Sequence, residues 1–386
     1  MRVLQVSTVT FADPHYYRSN ELTVCRSLAK LGHEVTLFSP SKAPKWQMLE
    51  ERKIQPPIEV IDGFTIRRFA SGPEVGAVPL TPSMFREILH FDSDILHAHD
   101  ILSPASFYSA VASRIKRKPL VVTQHGYTLQ STQGAKLLLQ ISYNCTFGRI
   151  TTQTASAIIG LSSEAVRFVR GFGASASKTK TIPNSVDTTL FRPDQRNLLK
   201  ERWNIDGQVV LFVGRLEKKK SVGTLLYAFN DALLHVPDAK LVIIGKGPEE
   251  NHLHEIAREL NLNQALFLGR LPRDEMPYIY PGCDFLVLPS IYEPFGNVVL
   301  EAMASGLPVI GSKIGGMVDI IHHGKTGYHV KTRDRGGLSR HLVQLLKDKE
   351  LRRRMSEAAR RTAVEEFDDV VVARAVERIY LDSLER

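Results

Sequence analysis

The chain has 386 residues, of which 43% are hydrophobic and 24% charged, and 50 lysines and arginines face 41 aspartates and glutamates, a formal net charge of +9. This length and hydrophobic content exclude a mainly disordered chain and predict two domains, or one large barrel, with a full core. The modest positive excess is compatible with phosphates, lipid headgroups or nucleic acid and does not choose among them.

The cysteines and the chain start bear on the compartment. Cys25, Cys145 and Cys283 are too few and too widely spaced for a disulfide framework or a zinc site, which favours a reducing environment. The apolar run at residues 1–6 is too short for a signal peptide, and no window approaches the ~18 uninterrupted apolar residues of a membrane span. We therefore expect a cytoplasmic protein, at most peripheral on the cytoplasmic face of a membrane.

In the first half of the chain, short β-branched runs alternate with stretches of helical period. Strands are predicted at 3–6, 35–38, 94–97, 120–123 and 157–160. A helix is predicted over 20–31, closed by Gly32. Strands that alternate with helices and are apolar on both faces predict a parallel, doubly wound α/β sheet.

A second series of the same kind follows the turn-rich segment 182–193. Its strands are predicted at 209–213, 241–244, 265–268, 285–288 and 309–310, each followed by glycine or proline. A helix over 252–260 is the clearest of its helices. We expect two Rossmann-like domains, 1–185 and 186–368, with the carboxyl ends of their strands facing a common cleft.

The turn after the strand at 209–213 carries clustered positive charge. Arg215 and Lys220, five residues apart between a strand and a helix, can converge on one polyanion such as a diphosphate, aided by the helix dipole. A solvated charge run over 218–220 is the alternative, and by itself the more common one.

The turn after the next strand is rich in glycine. Gly245 and Gly247 allow the close backbone approach that a phosphate or a sugar needs. Glu250 stands at the third glycine position of a dinucleotide fingerprint, so we discount NAD binding.

The segment from Glu293 to Glu301 carries the most specific pattern. A proline and a glycine between the two carboxylates keep Glu293 on a loop, before the helix that contains Glu301. Asn297 is the predicted N-cap, which leaves the amides of 295–298 as an anion site flanked by carboxylates that suit sugar hydroxyls. The alternative is an acidic pair that only stabilises the helix start.

Three histidines follow or end predicted strands. His125 comes just after a strand, where a packed or turn histidine is the more common role. His97 and His99, at i and i+2 of a strand, share one face with only Asp94 and Asp100 nearby, so we expect packing rather than a metal site.

Eight segments in chain order together resemble a known family. They are 32–35, 94–99, 123–126, 182–187, 214–216 with Lys220, 245–248, 293–301 and 315–316. Over residues 1 to about 380 the chain resembles retaining glycosyltransferases of the GT-B fold, family 4, also called glycosyl transferases group 1. The resemblance implies that the last helix, about 369–386, packs back on the first domain.

The resemblance also implies roles for individual residues. Arg215 and Lys220 would hold the donor diphosphate and stabilise the leaving group, with no metal and no other cofactor. Glu301 would accept from the ribose hydroxyls, Glu293 would lie beside the donor sugar, and His125 would reach the transferred sugar across the cleft. The remaining donor contacts implied are Gly214, Gly245, Gly247, Arg270, Leu271, Phe295, Gly296, Asn297 and Val298.

The reaction implied is transfer of a sugar from a nucleotide-diphosphate sugar, such as a UDP or GDP sugar, to a hydroxyl of a glycan, lipid-linked or small-molecule acceptor, with retention. An epimerase or phosphorylase on the same scaffold is the enzymatic alternative. A nucleic-acid binder is disfavoured because basic and aromatic residues do not interleave. The base, the sugar, the acceptor and the oligomeric state are left open.

Weaker features concern the acceptor side. The basic cluster at 114–118 and the apolar run at 136–141 fit contact with anionic membrane lipid or a lipid-linked phosphate, and equally a solvated helix end and a core helix. The loop 8–19 lacks the Gly-Gly that many relatives carry, and Ser221 stands where a glycine usually follows the lysine.

Overall fold

The computed structural model describes residues 1–9, 11, 20–41, 56–72, 74–75, 78–126 and 135–385. The chain divides into two compact units, the first made of Met1–Pro183 and Asp369–Arg386 and the second of Asn184–Asp368. The division thus falls two residues before the boundary predicted after residue 185.

The elements are numbered in chain order through both units. The strands of the first unit are β1 (Arg2–Val6), β2 (Glu34–Pro40), β3 (Ile58–Ile61), β4 (Phe64–Phe69), β5 (Glu74–Val75), β6 (Val78–Pro79), β7 (Ile95–His99), β8 (Leu120–Gln124), β9 (Ala157–Gly160) and β10 (Thr179–Thr181). Its helices are α1 (Asn20–Lys30), α2 (Pro82–His90), α3 (Pro104–Lys116), α4 (Ala135–Thr154), α5 (Ser163–Gly171) and α13 (Asp369–Leu384).

The main sheet of the first unit has the order β10-β9-β8-β7-β1-β2-β4-β3. Its pairings are parallel except between β3 and β4, so the predicted doubly wound parallel sheet is confirmed. The apolar pattern of the sequence did not predict β3, which lies at the edge of this sheet, or its neighbour β4. Because β4 buries only alternate residues and β3 exposes Ile58 and Val60, neither has the continuous apolar run of a central strand.

Apolar layers cover both faces of this sheet. Leu22 and Leu28 of α1 belong to one layer together with Val376 and Tyr380 of α13, and all four are buried. Ile88 of α2 belongs to the layer on the other face. Full burial of a large apolar side chain such as valine or leucine contributes roughly 1.5–3 kcal/mol. Through Val376 and Tyr380 the returning C-terminal helix is therefore an integral part of the first core.

The second unit repeats the plan. Its strands are β11 (Val209–Val213), β12 (Lys240–Ile244), β13 (Ala265–Gly269), β14 (Phe285–Leu288), β15 (Val309–Ser312) and β16 (Gly327–Val330). Its helices are α6 (Leu198–Trp203), α7 (Val222–Leu233), α8 (Glu250–Glu259), α9 (Asn297–Ala304), α10 (Met317–Ile320), α11 (Arg335–Lys347) and α12 (Lys349–Glu366), with short 3-10 turns at Lys218–Lys220, Arg273–Tyr278 and Tyr280–Gly282.

The strand order of the second sheet is β13-β12-β11-β14-β15-β16, all parallel. From β11 the chain builds outward through β12 and β13, and it then returns to start the other half at β14. The order therefore reverses between β11 and β14, which is the kind of switch point at which open α/β sheets bind their ligands. In the first sheet the same reversal lies between β1 and β7.

Candidate active site

Two loops meet at the reversal point of the second sheet. The loop after β11 contains Lys219 and Lys220, and the loop after β14 contains Ile291 and Glu293. The N–H of Ile291 donates to the carbonyl of Lys219 at 2.8 Å, and the ammonium of Lys220 binds the Oε2 of Glu293. Both side chains of this ion pair are largely buried. The fold thus pairs two predicted site residues that lie 73 positions apart.

Arg215 lies on the first of these loops with a half-exposed side chain. Its Nε is 2.9 Å from Glu217, whose other carboxylate oxygen is 2.8 Å from the ammonium of Lys219. Partial burial acts to raise the pKa of Glu217, but the hydrogen bond and charge of Lys219, with the charge of Arg215, bring that pKa below its ordinary value. Glu217 is therefore an anion that orients Arg215, and nothing in the sequence pattern indicated it.

The glycine-rich turn after β12 packs against the loop after β11. The N–H of Leu216 donates to the carbonyl of Lys246 at 3.0 Å. A Cβ atom on Gly245 would lie 1.9 Å from the carbonyl oxygen of Gly214, and one on Gly247 would lie 2.3 Å from that of Leu216. Both glycines are therefore required by the close approach of the neighbouring loop, and their contact with a phosphate or a sugar stays a prediction.

The start of α9 differs from the prediction. Gly296, not Asn297, is the N-cap, and its φ of +98° is a left-handed conformation that glycine adopts without steric cost. The side chain of Asn297 instead accepts a hydrogen bond from the amide of Asn184 at 2.7 Å. The N–H groups of Asn297 and Val298 still have no helical carbonyl four residues before them, so the helix start keeps its donors for an anion.

Glu301 lies in the second turn of α9 and is buried. Its Oε1 accepts from Arg273 at 3.1 Å, and its Oε2 accepts from the hydroxyl of Tyr280 at 2.8 Å. Burial, then the charge of Glu301, raises the pKa of Tyr280 well above its ordinary value, so this hydroxyl keeps its proton and donates. Arg273 and Tyr280 were not predicted as site residues, because no sequence motif marks them.

The last predicted donor contacts follow β13. Arg270 is exposed and Leu271 is half-buried, directly after the strand. All the predicted donor residues of the second unit therefore lie in segments that leave the carboxyl ends of β11, β12, β13 and β14. They are Gly214, Arg215, Lys220, Gly245, Gly247, Arg270, Leu271, Glu293, Phe295, Gly296, Asn297, Val298 and Glu301.

In the first unit, His125 follows β8 and contacts the end of β7. Its Nε2 is 2.8 Å from the Nδ1 of His99 and 3.8 Å from a carboxylate oxygen of Glu21. The Nε2 of His99 is 2.7 Å from the Oε1 of Gln5. The backbone N–H of His125 donates to Asp100 at 3.1 Å. His125 is therefore held by buried polar groups from several elements.

The surroundings of the strand histidines differ from those expected. Glu21 and His125, rather than Asp94, lie beside His99, and ligand atoms of Glu21, His99 and His125 are within 4.8 Å of one another, a spacing that a metal ion can use. The two ring nitrogens are nevertheless at hydrogen-bond distance. Burial lowers the pKa of His97 to about 3 and that of His99 well below its ordinary value, so both rings are neutral.

The basic cluster at 114–118 ends α3 and is divided by the fold. Lys116 donates to the carbonyl of Ile88 at 3.0 Å and to that of Phe91, and burial lowers its pKa. Lys116 thus ties α3 to the end of α2, whereas Arg114 and Arg117 are exposed.

Two further points concern the membrane and the thiols. The side chains of 136–141, in α4, lie outside the described residues. In the part of the chain that the structure describes, no helix has both the length and the apolar character to cross a membrane. The three cysteines are free thiols, in keeping with the expectation of no disulfide framework.

Comparison with known sequences finds two family models and several curated relatives. The model described as Glycosyltransferase Family 4 matches residues 22–190, and that described as Glycosyl transferases group 1 matches residues 195–362. N-acetyl-alpha-D-glucosaminyl L-malate synthase from Bacillus anthracis is 30% identical over 298 residues, 75% of each chain. D-inositol 3-phosphate glycosyltransferase from Corynebacterium aurimucosum is 27% identical over 391 residues, 94% of this chain and 90% of that protein.

Comparison with solved structures finds similar folds along the whole chain. HepE from Anabaena, in complex with UDP, has a TM-score of 0.77 at 22% identity and covers 99% of this chain and 100% of its own. Sucrose-phosphate synthase from Thermosynechococcus elongatus has a TM-score of 0.75 at 20% identity, with 99% of both chains covered.

Proposed function

We propose a specific reaction for this chain, which belongs to glycosyltransferase family 4 and has the GT-B fold. It transfers a sugar from a nucleoside-diphosphate sugar to a hydroxyl of a glycan, lipid-linked or small-molecule acceptor, with retention and without a metal ion. Membership of the family favours transfer over the epimerase, phosphorylase and nucleic-acid-binding alternatives. A nucleotide-sugar donor is supported by HepE, a protein of similar fold whose structures contain UDP and UDP-glucose.

The observation that carries the proposal is the pairing of Lys220 with Glu293 where the strand order of the second sheet reverses. An anionic diphosphate suits the cationic side of this pair, and a polyhydroxylated sugar suits the carboxylate side. Arg215 lies on the same loop as Lys220, and one of its nitrogens contacts Glu217. A guanidinium has five N–H donors, so Arg215 can bind a diphosphate while it keeps this contact.

From these contacts we assign roles. Lys220 and Arg215 bind the diphosphate and take up the negative charge that develops as it leaves, the charge-stabilising part that a metal ion plays in other transferases. Glu293 accepts from hydroxyls of the donor sugar. The N–H groups at the start of α9 bind phosphate or sugar oxygens. Glu301, oriented by Arg273 and Tyr280, accepts from the ribose hydroxyls.

In the proposed step, the bond between the anomeric carbon and the β-phosphate oxygen breaks, and a bond from the acceptor hydroxyl oxygen to that carbon forms on the same face. The acceptor proton passes to the departing phosphate, so atoms and charge balance. The protein contributes chiefly by positioning the substrates and stabilising charge. The resemblance to the family supports a further role for His125, which is contact with a hydroxyl of the transferred sugar.

For the acceptor, we propose only its chemical class. The exposed Arg114 and Arg117 provide positive charge for an anionic lipid surface or a lipid-linked phosphate. Lys116 does not contribute, because its ammonium donates to a backbone carbonyl of α2.

Thermal unfolding with UDP, GDP and ADP, and then with their sugars, tests the donor site and identifies the base. EDTA is present throughout, so a shift also requires no metal. At ~100 times its dissociation constant, a nucleoside diphosphate should stabilise the parent protein by about 2.7 kcal/mol. Arg215→Ala and Glu301→Ala should each abolish that stabilisation, because each removes a direct contact with the nucleotide.

Arg335→Ala is the matched control. Arg335 is an equally exposed arginine of the second unit that is bonded to a carboxylate, Asp231, outside the site. Its variant should retain the full shift. Unchanged shifts in both Arg215→Ala and Glu301→Ala would contradict the assignment. With the donor known, label from a radiolabelled sugar should join an acceptor with its anomeric configuration kept, whereas interconversion of donor sugars without an acceptor would refute transfer.

A further inference from the structure

A chain of hydrogen bonds runs through the interior of the first unit from α13 to His125. The amide nitrogen of Gln5, on β1, is 3.0 Å from the hydroxyl of Tyr380. The Oε1 of Gln5 is 2.7 Å from the Nε2 of His99, and the Nδ1 of His99 is 2.8 Å from the Nε2 of His125. Gln5, His99 and Tyr380 are each at most 2% exposed, so water does not compete for these bonds.

These hydrogen bonds have a defined order of donors and acceptors. Because burial keeps His99 neutral, one of its ring nitrogens carries a proton and the other a lone pair. With the carboxamide oxygen of Gln5 facing the Nε2 of His99, the proton lies on that nitrogen. The Nδ1 of His99 then accepts, and the Nε2 of His125 must be the donor.

Rotation of the Gln5 carboxamide by half a turn would reverse every hydrogen bond from Gln5 to His125, and Glu21 acts against it. The amide nitrogen of Gln5 is 3.1 Å from the Nδ1 of His97 and 3.0 Å from the hydroxyl of Tyr380, which also bonds that Nδ1, and these two groups can serve either orientation. At the other end, Glu21 holds a carboxylate oxygen 3.8 Å from the Nε2 of His125. A proton on that nitrogen is attracted to the carboxylate, whereas a lone pair there would be repelled.

We infer that Gln5 and His99, anchored by Tyr380, are positioning residues that fix the tautomer of His125 with its proton on Nε2. This tautomer leaves the Nδ1 of His125 as a hydrogen-bond acceptor for a hydroxyl of the transferred sugar. The catalytic consequence rests on the proposed function, but the tautomer itself belongs to the free protein. Through Tyr380, the returning C-terminal helix thus helps to orient His125 in addition to packing in the core.

Nitrogen-15 NMR of histidine-labelled, ligand-free full chain reads the tautomer directly, with the His125 signals assigned by their loss in His125→Gln. We expect a pyrrole-type Nε2 and a pyridine-type Nδ1 for His125 in the parent protein. Gln5→Met removes the acceptor of His99 at nearly constant volume and should convert His125 to a mixture of tautomers. Tyr380→Phe, which removes the anchor of Gln5, should change the populations in the same direction and serves if Gln5→Met does not fold.

Ser106→Ala is the matched control. The buried hydroxyl of Ser106 donates to the backbone carbonyl of His99 and does not bind the ring, so the His125 signals should keep the parent pattern. A pyridine-type Nε2 in the parent protein, or a His125 tautomer that neither Gln5→Met nor Tyr380→Phe alters, would overturn the inference.

Kinetics then separate this inference from the proposed function. With the donor identified by thermal shift, Gln5→Met should lower kcat in the parent but not in the His125→Gln background, because both changes act through one ring. If the tautomer follows Gln5 while kcat does not change, the sugar-contacting role of His125 is overturned and its positioning by Gln5 and His99 is upheld.

Discussion

Glu293 and Glu301 stand eight positions apart in the chain and have entirely different surroundings. Glu293 binds a lysine ammonium, and Glu301 is held by Arg273 on one oxygen and Tyr280 on the other. Removing one partner of a buried ionic contact is costly because the remaining group keeps its desolvation without compensation. Each carboxylate is therefore sensitive to a residue outside the motif that contains it.

Tyr280→Phe tests this at the residue scale. The change removes one hydroxyl that donates to Glu301 and leaves the ring, which is fully buried against Phe191, in place. We expect the free energy of unfolding to fall by about 1.5–3 kcal/mol, the range for a hydrogen bond to a charged group, and nucleoside-diphosphate affinity to fall with it. Denaturant unfolding and thermal shift measure the two effects.

Tyr328→Phe is its control, since Tyr328 is a buried tyrosine of the same unit whose ring stacks on His341, away from Glu301. It should leave nucleoside-diphosphate affinity unchanged. Equal affinity in Tyr280→Phe and the parent protein would show that Tyr280 does not orient Glu301.

At the scale of elements, the loops after β11 and β12 are packed directly against each other. Their backbones are hydrogen-bonded, and glycines stand where the chains come closest. Close backbone packing of this kind leaves no room for a side chain, and backbone cannot move aside as a flexible side chain can. The position of Arg215 thus depends on a glycine in a different loop.

Gly245→Ala should therefore disturb the donor loop. The new Cβ would lie 1.9 Å from the carbonyl oxygen of Gly214, at a backbone φ of +145° that already disfavours alanine. We expect a loss of about 1–3 kcal/mol in the free energy of unfolding, together with weaker nucleoside-diphosphate binding. Gly336→Ala is the control, because the new Cβ at the start of α11 would make only an ordinary 4.0 Å contact with Asp334 at an ordinary φ. It should leave binding unchanged and stability equal or up to about 1 kcal/mol higher.

At the scale of the whole molecule, buried histidines link stability to pH. His97 and His99 are neutral in the folded first unit, with pKa values depressed by burial, about 3 for His97. In the unfolded chain both have the ordinary pKa of about 6.5, so the unfolded state binds more protons below that pH. The sign follows: stability is present above pH 6.5 and is lost as the pH falls. Asp100, whose pKa burial raises, works in the opposite sense nearer its own ordinary range.

Each of these two histidines should therefore cost about 1.4 kcal/mol of unfolding free energy between pH 7.5 and 5.5. Denaturant unfolding of the full chain at several pH values measures the loss, and proton uptake on unfolding counts the histidines. His97→Gln should reduce that uptake by about one proton at pH 5.5. Stability that stays level from pH 7.5 to 5.5 would contradict the neutral assignment of both rings.

Local patterns in the sequence determined the α/β class, the central strands and the loop position of Glu293, because apolar periodicity, prolines and glycines act over a few residues. The same patterns missed the edge strand β3 and its neighbour β4, whose half-exposed residues resemble loops, and the short edge strands β10 and β16. They also placed the cap of α9 one residue late. Collinear motifs indicated the family, which the comparisons confirmed.

Only the tertiary structure decided which groups meet. Parallel strands bring distant loops to one edge of a sheet, and this places Lys220 beside Glu293 and Tyr280 beside Glu301. The hydrogen bonds from Tyr380 through Gln5 to His99 depend on a helix that returns from the end of the polypeptide. Hydrogen bonds and ion pairs are decided by distance and burial, which sequence separations of tens to hundreds of residues do not encode. The tertiary structure also decides which positive charges are available to a partner, although the net charge of +9 follows from the sequence. Lys220 and Lys116 have partners inside the fold, whereas Arg114 and Arg117 are exposed.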